Sequence, residues 1–82
     1  MYDSAIKAYM QPIFAESTGG LLRQLTDILK DREHAFSKHP EDYTLFQLGT
    51  YDENTATFTT NPPQKIVGMW ELVENNVTPI EG

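Results

Sequence analysis

Leu21, Leu22, Leu25, Ile28 and Leu29 fall at i, i+1, i+4, i+7 and i+8, one apolar stripe of an α-helix, with Arg23, Gln24, Asp27 and Lys30 on the opposite, wet face. A helix of this kind folds only if something else covers the stripe. The rest of the chain offers alternating segments for that purpose, so the helix and a small sheet have to solve each other's burial problem. Ser17 or Thr18 supplies the cap oxygen, while Gly19 and Gly20 in the first turn lower helix propensity.

Before the helix, Ser4 to Met10 alternates, with Ile6, Ala8 and Met10 on one face and Ala5, Lys7 and Tyr9 on the other, which predicts a strand. Pro12 has no N–H for a ladder, so pairing weakens there or the stretch lies on an edge, and Phe14 is expected to point into the core. Residues Asp31 to Asp42 are polar and contain Pro40, which ends the helix, with at most one further short turn carrying Phe36. Tyr43 to Tyr51 predicts a second strand, Phe46 and Leu48 facing one way and Tyr43, Leu45 and Tyr51 the other. Asp52, Glu53 and Asn54 form a turn into a β-branched third strand, Thr55 to Thr60, which Asn61, Pro62 and Pro63 break. Ile66 to Val73 reads as a last extended segment, because Val67, Gly68 and Trp70 are poor helix formers. Ile66, Met69, Trp70 and Val73 also fit a helical period.

The expected fold is therefore α+β, a small antiparallel sheet in the order β-α-β-β-β with one helix packed on one face. Residues 1–74 form a single compact domain, and 75–82 carry no pattern and are expected to be a mobile tail. At 82 residues the chain allows one domain. Scaling rules give about 5,000 Å² folded against about 13,500 Å² unfolded, a small core with little stability to spare. The absence of cysteine excludes a disulfide framework, thiolate metal sites and a catalytic cysteine. No basic segment followed by an apolar core starts the chain and no apolar run is long, so neither a signal peptide nor a membrane span is expected and the cytoplasm is the expected compartment.

Six Lys and Arg against twelve Asp and Glu give a net charge of −6, which repels polyphosphate and lowers the odds of DNA binding without excluding it. His34 and His39, with Asp31, Glu33, Glu41 and Asp42, supply metal-donor types, but a five-residue histidine spacing around a turn sets no converging geometry, and no metal or cofactor is expected. The acidic residues sit at turns and helix ends, and no nucleophile elbow, Walker loop or dinucleotide fingerprint is present. No catalytic residue is expected and the chain is not expected to be an enzyme.

One helix covers one sheet face, leaving some of Lys7, Tyr9, Tyr43, Leu45, Tyr51 and Met69 on the other. Lys7, Tyr9, Tyr43, Tyr51, Lys65 and Trp70 are the candidate DNA- or partner-binding residues, because aromatic faces beside cations stack bases at about 1–3 kcal/mol each. The plainer reading of these aromatics, half core and half dimer interface, is the one composition favours, and a homodimer is expected.

The run Phe36-Ser37-Lys38-His39-Pro40-Glu41-Asp42-Tyr43-Thr44-Leu45-Phe46-Gln47-Leu48-Gly49-Thr50-Tyr51-Asp52 closely resembles the signature of the small nonstructural protein of gokushovirus-type microviruses, which are single-stranded DNA phages. Tyr2-Asp3-Ser4, the Tyr9 to Phe14 stretch, the Gly-containing helix start and Pro63-Gln64-Lys65-Ile66 resemble that family in the same order, up to about Val73. The resemblance implies a phage protein that acts during replication in the host bacterial cytoplasm and is absent from the mature virion. Family members are likened to the microviral protein that helps switch replication toward single-stranded genomes and packaging, and others are described as DNA-binding. The resemblance carries no set of functional residues. It makes a non-enzymatic accessory role the first expectation, through binding a phage or host replication or packaging protein. Direct binding of single-stranded DNA by an aromatic sheet face is the alternative.

Overall fold

The computed structural model describes residues 1–77 and is an α+β fold. Its elements are β1 (Tyr2–Asp3), β2 (Ala8–Tyr9), α1 (Thr18–Leu29), α2 (Ala35–Lys38), a 3₁₀ turn (Pro40–Asp42), β3 (Tyr43–Asp52), β4 (Thr57–Gly68) and α3 (Met69–Val77). The four strands form one antiparallel sheet in the order β2-β1-β3-β4. Of the tail expected over 75–82, residues 75–77 complete α3 and 78–82 lie outside the described residues.

The helix α1 forms where the stripe places it. The Ser17 Oγ accepts the Gly20 N–H at 3.0 Å, satisfying one of the donors that a helix start leaves open. Leu25 is buried, and Leu21, Leu22, Ile28 and Leu29 pack around it against a core of Met1, Phe36, Leu45 and Met69. Phe36 reaches that core from α2, whose first turn is capped by His34 Nδ1 accepting the Phe36 N–H.

Four expectations are corrected. The strand read over Ser4 to Met10 is a hairpin of two short strands, because the Asp3 carboxylate accepts the Ala5 N–H at 3.0 Å and closes a turn, with Lys7 at φ +56°. Phe14 does not enter the core and is 68% exposed, held instead against Tyr51 and Phe58. The prolines interrupt the ladder without ending the strand: pairing steps from Gln47 with Gln64 to Gly49 with Thr60, and the Asn61 side chain donates to the Gln47 carbonyl at 3.2 Å. An edge strand tolerates Pro62 and Pro63 because its outer N–H groups have no ladder to serve. Finally, the extended segment stops at Gly68 and a helix follows, so among the described residues three helices replace the single one expected.

The faces of β3 are also exchanged near its start. Leu45, paired with Val67, is buried with Met69, and Tyr43 stacks on Phe36 with ring centroids 4.7 Å apart. Phe46 looks to the other face. Tyr43-Thr44-Leu45-Phe46-Gln47-Leu48 is apolar at both parities, so alternation alone does not choose between them. A one-residue register shift between Leu45 and Phe46 accompanies the change of environment.

Beyond Gly49 the β3–β4 hairpin leaves the core behind, and residues 50–60 are all exposed. Gly49 has φ +153°, and a Cβ there would drive into the Thr59 carbonyl and within 2.9 Å of the Thr60 Cα. Replacing Gly49 by Ala is therefore expected to cost about 1–3 kcal/mol, the range for forced backbone strain, and to speed amide exchange in residues 50–60. Leu25→Ala should cost about 2–5 kcal/mol and Ile28→Ala less, since Leu25 is 2% exposed and Ile28 only half-buried. Denaturant titration measures these costs, and equal, near-zero losses would mean that the stripe does not hold the core.

Candidate functional site

The six candidate residues occupy several regions of the molecule. Tyr9 joins Tyr2 and Phe46 in a three-ring cluster on the sheet face away from the helices, with centroids 4.7, 5.7 and 6.2 Å apart. Lys65 pairs across the strands with Phe46 and so shares that face. Lys7 lies in the β1–β2 turn. Tyr43 sits on the opposite, helix-covered face. Tyr51 lies far out on the hairpin beside Phe58, with rings 4.8 Å apart, and Trp70 is half-exposed in the first turn of α3. Leu45 and Met69, expected on the uncovered face, are buried on the covered one.

Sequence reasoning missed Tyr2, Phe46, Phe14 and Phe58 as members of surface clusters. The signal for Phe58 was present: the hairpin turn that follows Asp52 sets Tyr51 opposite Phe58. Nothing in the periodicity placed Phe14 against them.

Lys65 is not an open cation. Its Nζ lies 3.1 Å from Glu71 Oε1, and the same oxygen accepts the Gly68 N–H at 2.7 Å. Glu71 thus works as the third helical residue reaching back to the residue that starts α3, the carboxylate half of a capping box. The Gly68 hydrogen bond first and Lys65 second hold the Glu71 carboxyl below its ordinary range. Lys30 and Lys38 are likewise paired within the chain, with Asp27 at 3.5 Å and Glu33 at 3.6 Å.

The 3₁₀ turn brings negative charge to the first strand. Tyr43 is pushed above its ordinary value by burial and then by Asp3 and Asp42. His39, Glu41 and Asp42 present donor atoms within 4.8 Å of one another, and His39 Nδ1 lies 3.9 Å from Glu41 Oε2. His34 takes no part in that group, since its Nδ1 caps α2.

A third feature is an open trough of about 810 Å³ between residues 12–18 and the hairpin. Ile13, Phe14, Leu48, Tyr51 and Phe58 give it an apolar lining, and Glu16 and Glu53 lie among the polar ones. Among the described residues no helix is long and apolar enough to cross a membrane.

The class these features define is a small α+β domain, a four-stranded antiparallel sheet with helices on one face and aromatic clusters left at its surface. A family model described as Phage ORF5 protein matches residues 1–72, and the chain belongs to that phage family. No curated protein and no solved structure matches it.

The Glu71 contact has a pH signature. A carboxyl whose folded value is lowered stabilises the fold above its unfolded value, and that contribution is lost as pH falls through the folded one. Glu71→Ala is therefore expected to melt below the wild type at neutral pH, and the gap should close as pH falls below the ordinary 4.5 of a glutamate. Parallel thermal melts across pH measure it, and a gap that persists in acid would assign the loss to something other than the charge.

Proposed function

We propose that the protein is a non-enzymatic phage accessory protein that assists viral DNA replication, single-stranded genome synthesis or packaging by binding a basic, DNA-handling replication protein. It acts in the host bacterial cytoplasm and stays out of the mature virion. Membership of a phage family supports the setting, and the resemblance to gokushovirus nonstructural proteins supports the replication role. The observation that carries the partner reading is the fate of the cations. Lys65, the cation paired across the strands with Phe46, is bound to Glu71, while Asp3, Glu41 and Asp42 gather where β3 begins, at the same end of the sheet. Such a surface attracts a basic protein and steers its approach, whereas it repels a polyphosphate.

Single-stranded DNA is the second reading, favoured by the Tyr2, Tyr9 and Phe46 rings on the uncovered face. Two titrations across a salt series separate the readings, one with a labelled single-stranded oligonucleotide and one with the phage's replication-initiation protein. The initiation protein is expected to bind, with Asp42→Asn and Glu41→Gln slowing association several-fold, about the effect of rim charges. Salt-sensitive oligonucleotide binding that Tyr9→Ala abolishes, without binding of the initiation protein, would transfer the function to DNA.

A further inference from the structure

We infer that the outer part of the β3–β4 hairpin is a self-association surface on which a second copy of this chain docks through the β4 edge. The shape is the first ground. The radius of gyration is 14.1 Å and the longest dimension 46 Å against a shortest of 20 Å, where a compact domain of this length has a radius near 11.7 Å. The accessible surface is 5990 Å², against the roughly 5,000 Å² that size scaling gives a compact monomer. The surplus of roughly 1,000 Å² compares with the roughly 800 Å² that each partner contributes to a standard stable interface.

The chemistry of the outer hairpin surface is the second ground. Phe14 and Phe58 are 68% and 61% exposed, and Ile13, Leu48 and Tyr51 stand beside them around the trough. The outer edge of β4 is unpaired among the described residues. Natural edges are guarded by charge or proline. Pro62, Pro63 and Lys65 guard the inner half of this one, but Thr57-Phe58-Thr59-Thr60 has neither charge nor proline and is β-branched or aromatic throughout. Four unguarded, strand-prone residues at an edge suit the same four residues of a second copy, antiparallel about a two-fold axis. Pairing there continues the sheet from one molecule into the next and brings the two Phe58 and Tyr51 pairs together over the troughs. Glu16 and Glu53 at the trough meet like charges across such an axis, so salt strengthens this association. A basic protein seated in the same trough has the opposite salt response.

This inference stands apart from the partner reading, which rests on the other end of the sheet. Sedimentation equilibrium of the full chain tests it. The expected result is a reversible dimer of twice 9.3 kDa whose dissociation constant falls as salt rises. Phe58→Lys should raise that constant by about tenfold or more, as loss of a central aromatic does. Phe14→Ser, in a segment outside the sheet, should weaken the dimer while leaving the far-UV spectrum unchanged. A monomer at about 100 µM, where even a weak specific dimer associates, would overturn the inference. A dimer indifferent to both substitutions in folded protein, or one that salt dissociates, would overturn it equally.

Discussion

Met69 is fully buried at the point where β4 becomes α3, and the rest of the molecule is arranged around that burial. The core contains few fully buried side chains, and among the described residues Met1, Leu25, Phe36, Leu45 and Met69 come from five different parts of the chain. None of these parts covers the others alone. If the chain continued as strand past Gly68, Met69 would stay on the face of Val67 but Leu72 would turn to the other one, whereas the helix brings both to the core. The conversion from strand to helix is thus a condition of the fold, and Glu71 secures it by accepting the Gly68 N–H while it holds Lys65. Gly68 is buried here, and a Cβ on it would meet the Trp70 ring at 2.7 Å, so the close turn asks for glycine on spatial grounds.

The use of Lys65 in this junction links fold to function. A lysine beside exposed aromatic rings is the sequence signature of a base-stacking surface. In the folded molecule its charge is already engaged 3.1 Å away, so drawing it onto a phosphate would compete with the start of α3. Tyr2, Tyr9 and Phe46 then form a patch whose cross-strand lysine serves the helix junction. An aromatic patch of this kind gains more from an apolar or cationic partner surface than from a polyphosphate.

How much of this the sequence displays depends on whether a segment has one good local solution. The α1 stripe has one, and its buried Leu25 was legible from spacing, while the structure chooses Ser17 over Thr18 as its cap. The β3–β4 hairpin was legible because its turn residues separate two strand-prone runs. Residues 66–73 offered two solutions, and the period of Ile66, Met69, Trp70 and Val73 competed with poor helix propensity. Tertiary burial of Met69 and the long-range pairing of Val67 with Leu45 decided the boundary at Gly68. The faces of β3 were illegible for a similar reason, since Leu45 and Phe46 are both large and apolar and the choice between them is made by distant residues such as Leu25, Phe36 and Met69 that pack on the Leu45 side. The candidate residues themselves were visible by type, but their grouping was not, because it follows from strand order and from the path of residues 10–17.

The hairpin shows a different balance. Its outer half contributes little to the core, yet ordering it costs about 1–2 kcal/mol of backbone entropy per residue. The returns within one chain are the ladder, the Tyr51 and Phe58 stack and the lean of Phe14 against both rings. Each ring still keeps a large exposed surface, and among the described residues the edge that Phe58 occupies has open hydrogen-bonding groups on one side. A small domain with little stability in reserve gains nothing in solubility from such an arm. Burial of those rings and that edge against a second surface removes the two defects together. The neutrality of residues 57–60, in a chain carrying −6 overall, makes this the stretch where two copies approach with least repulsion.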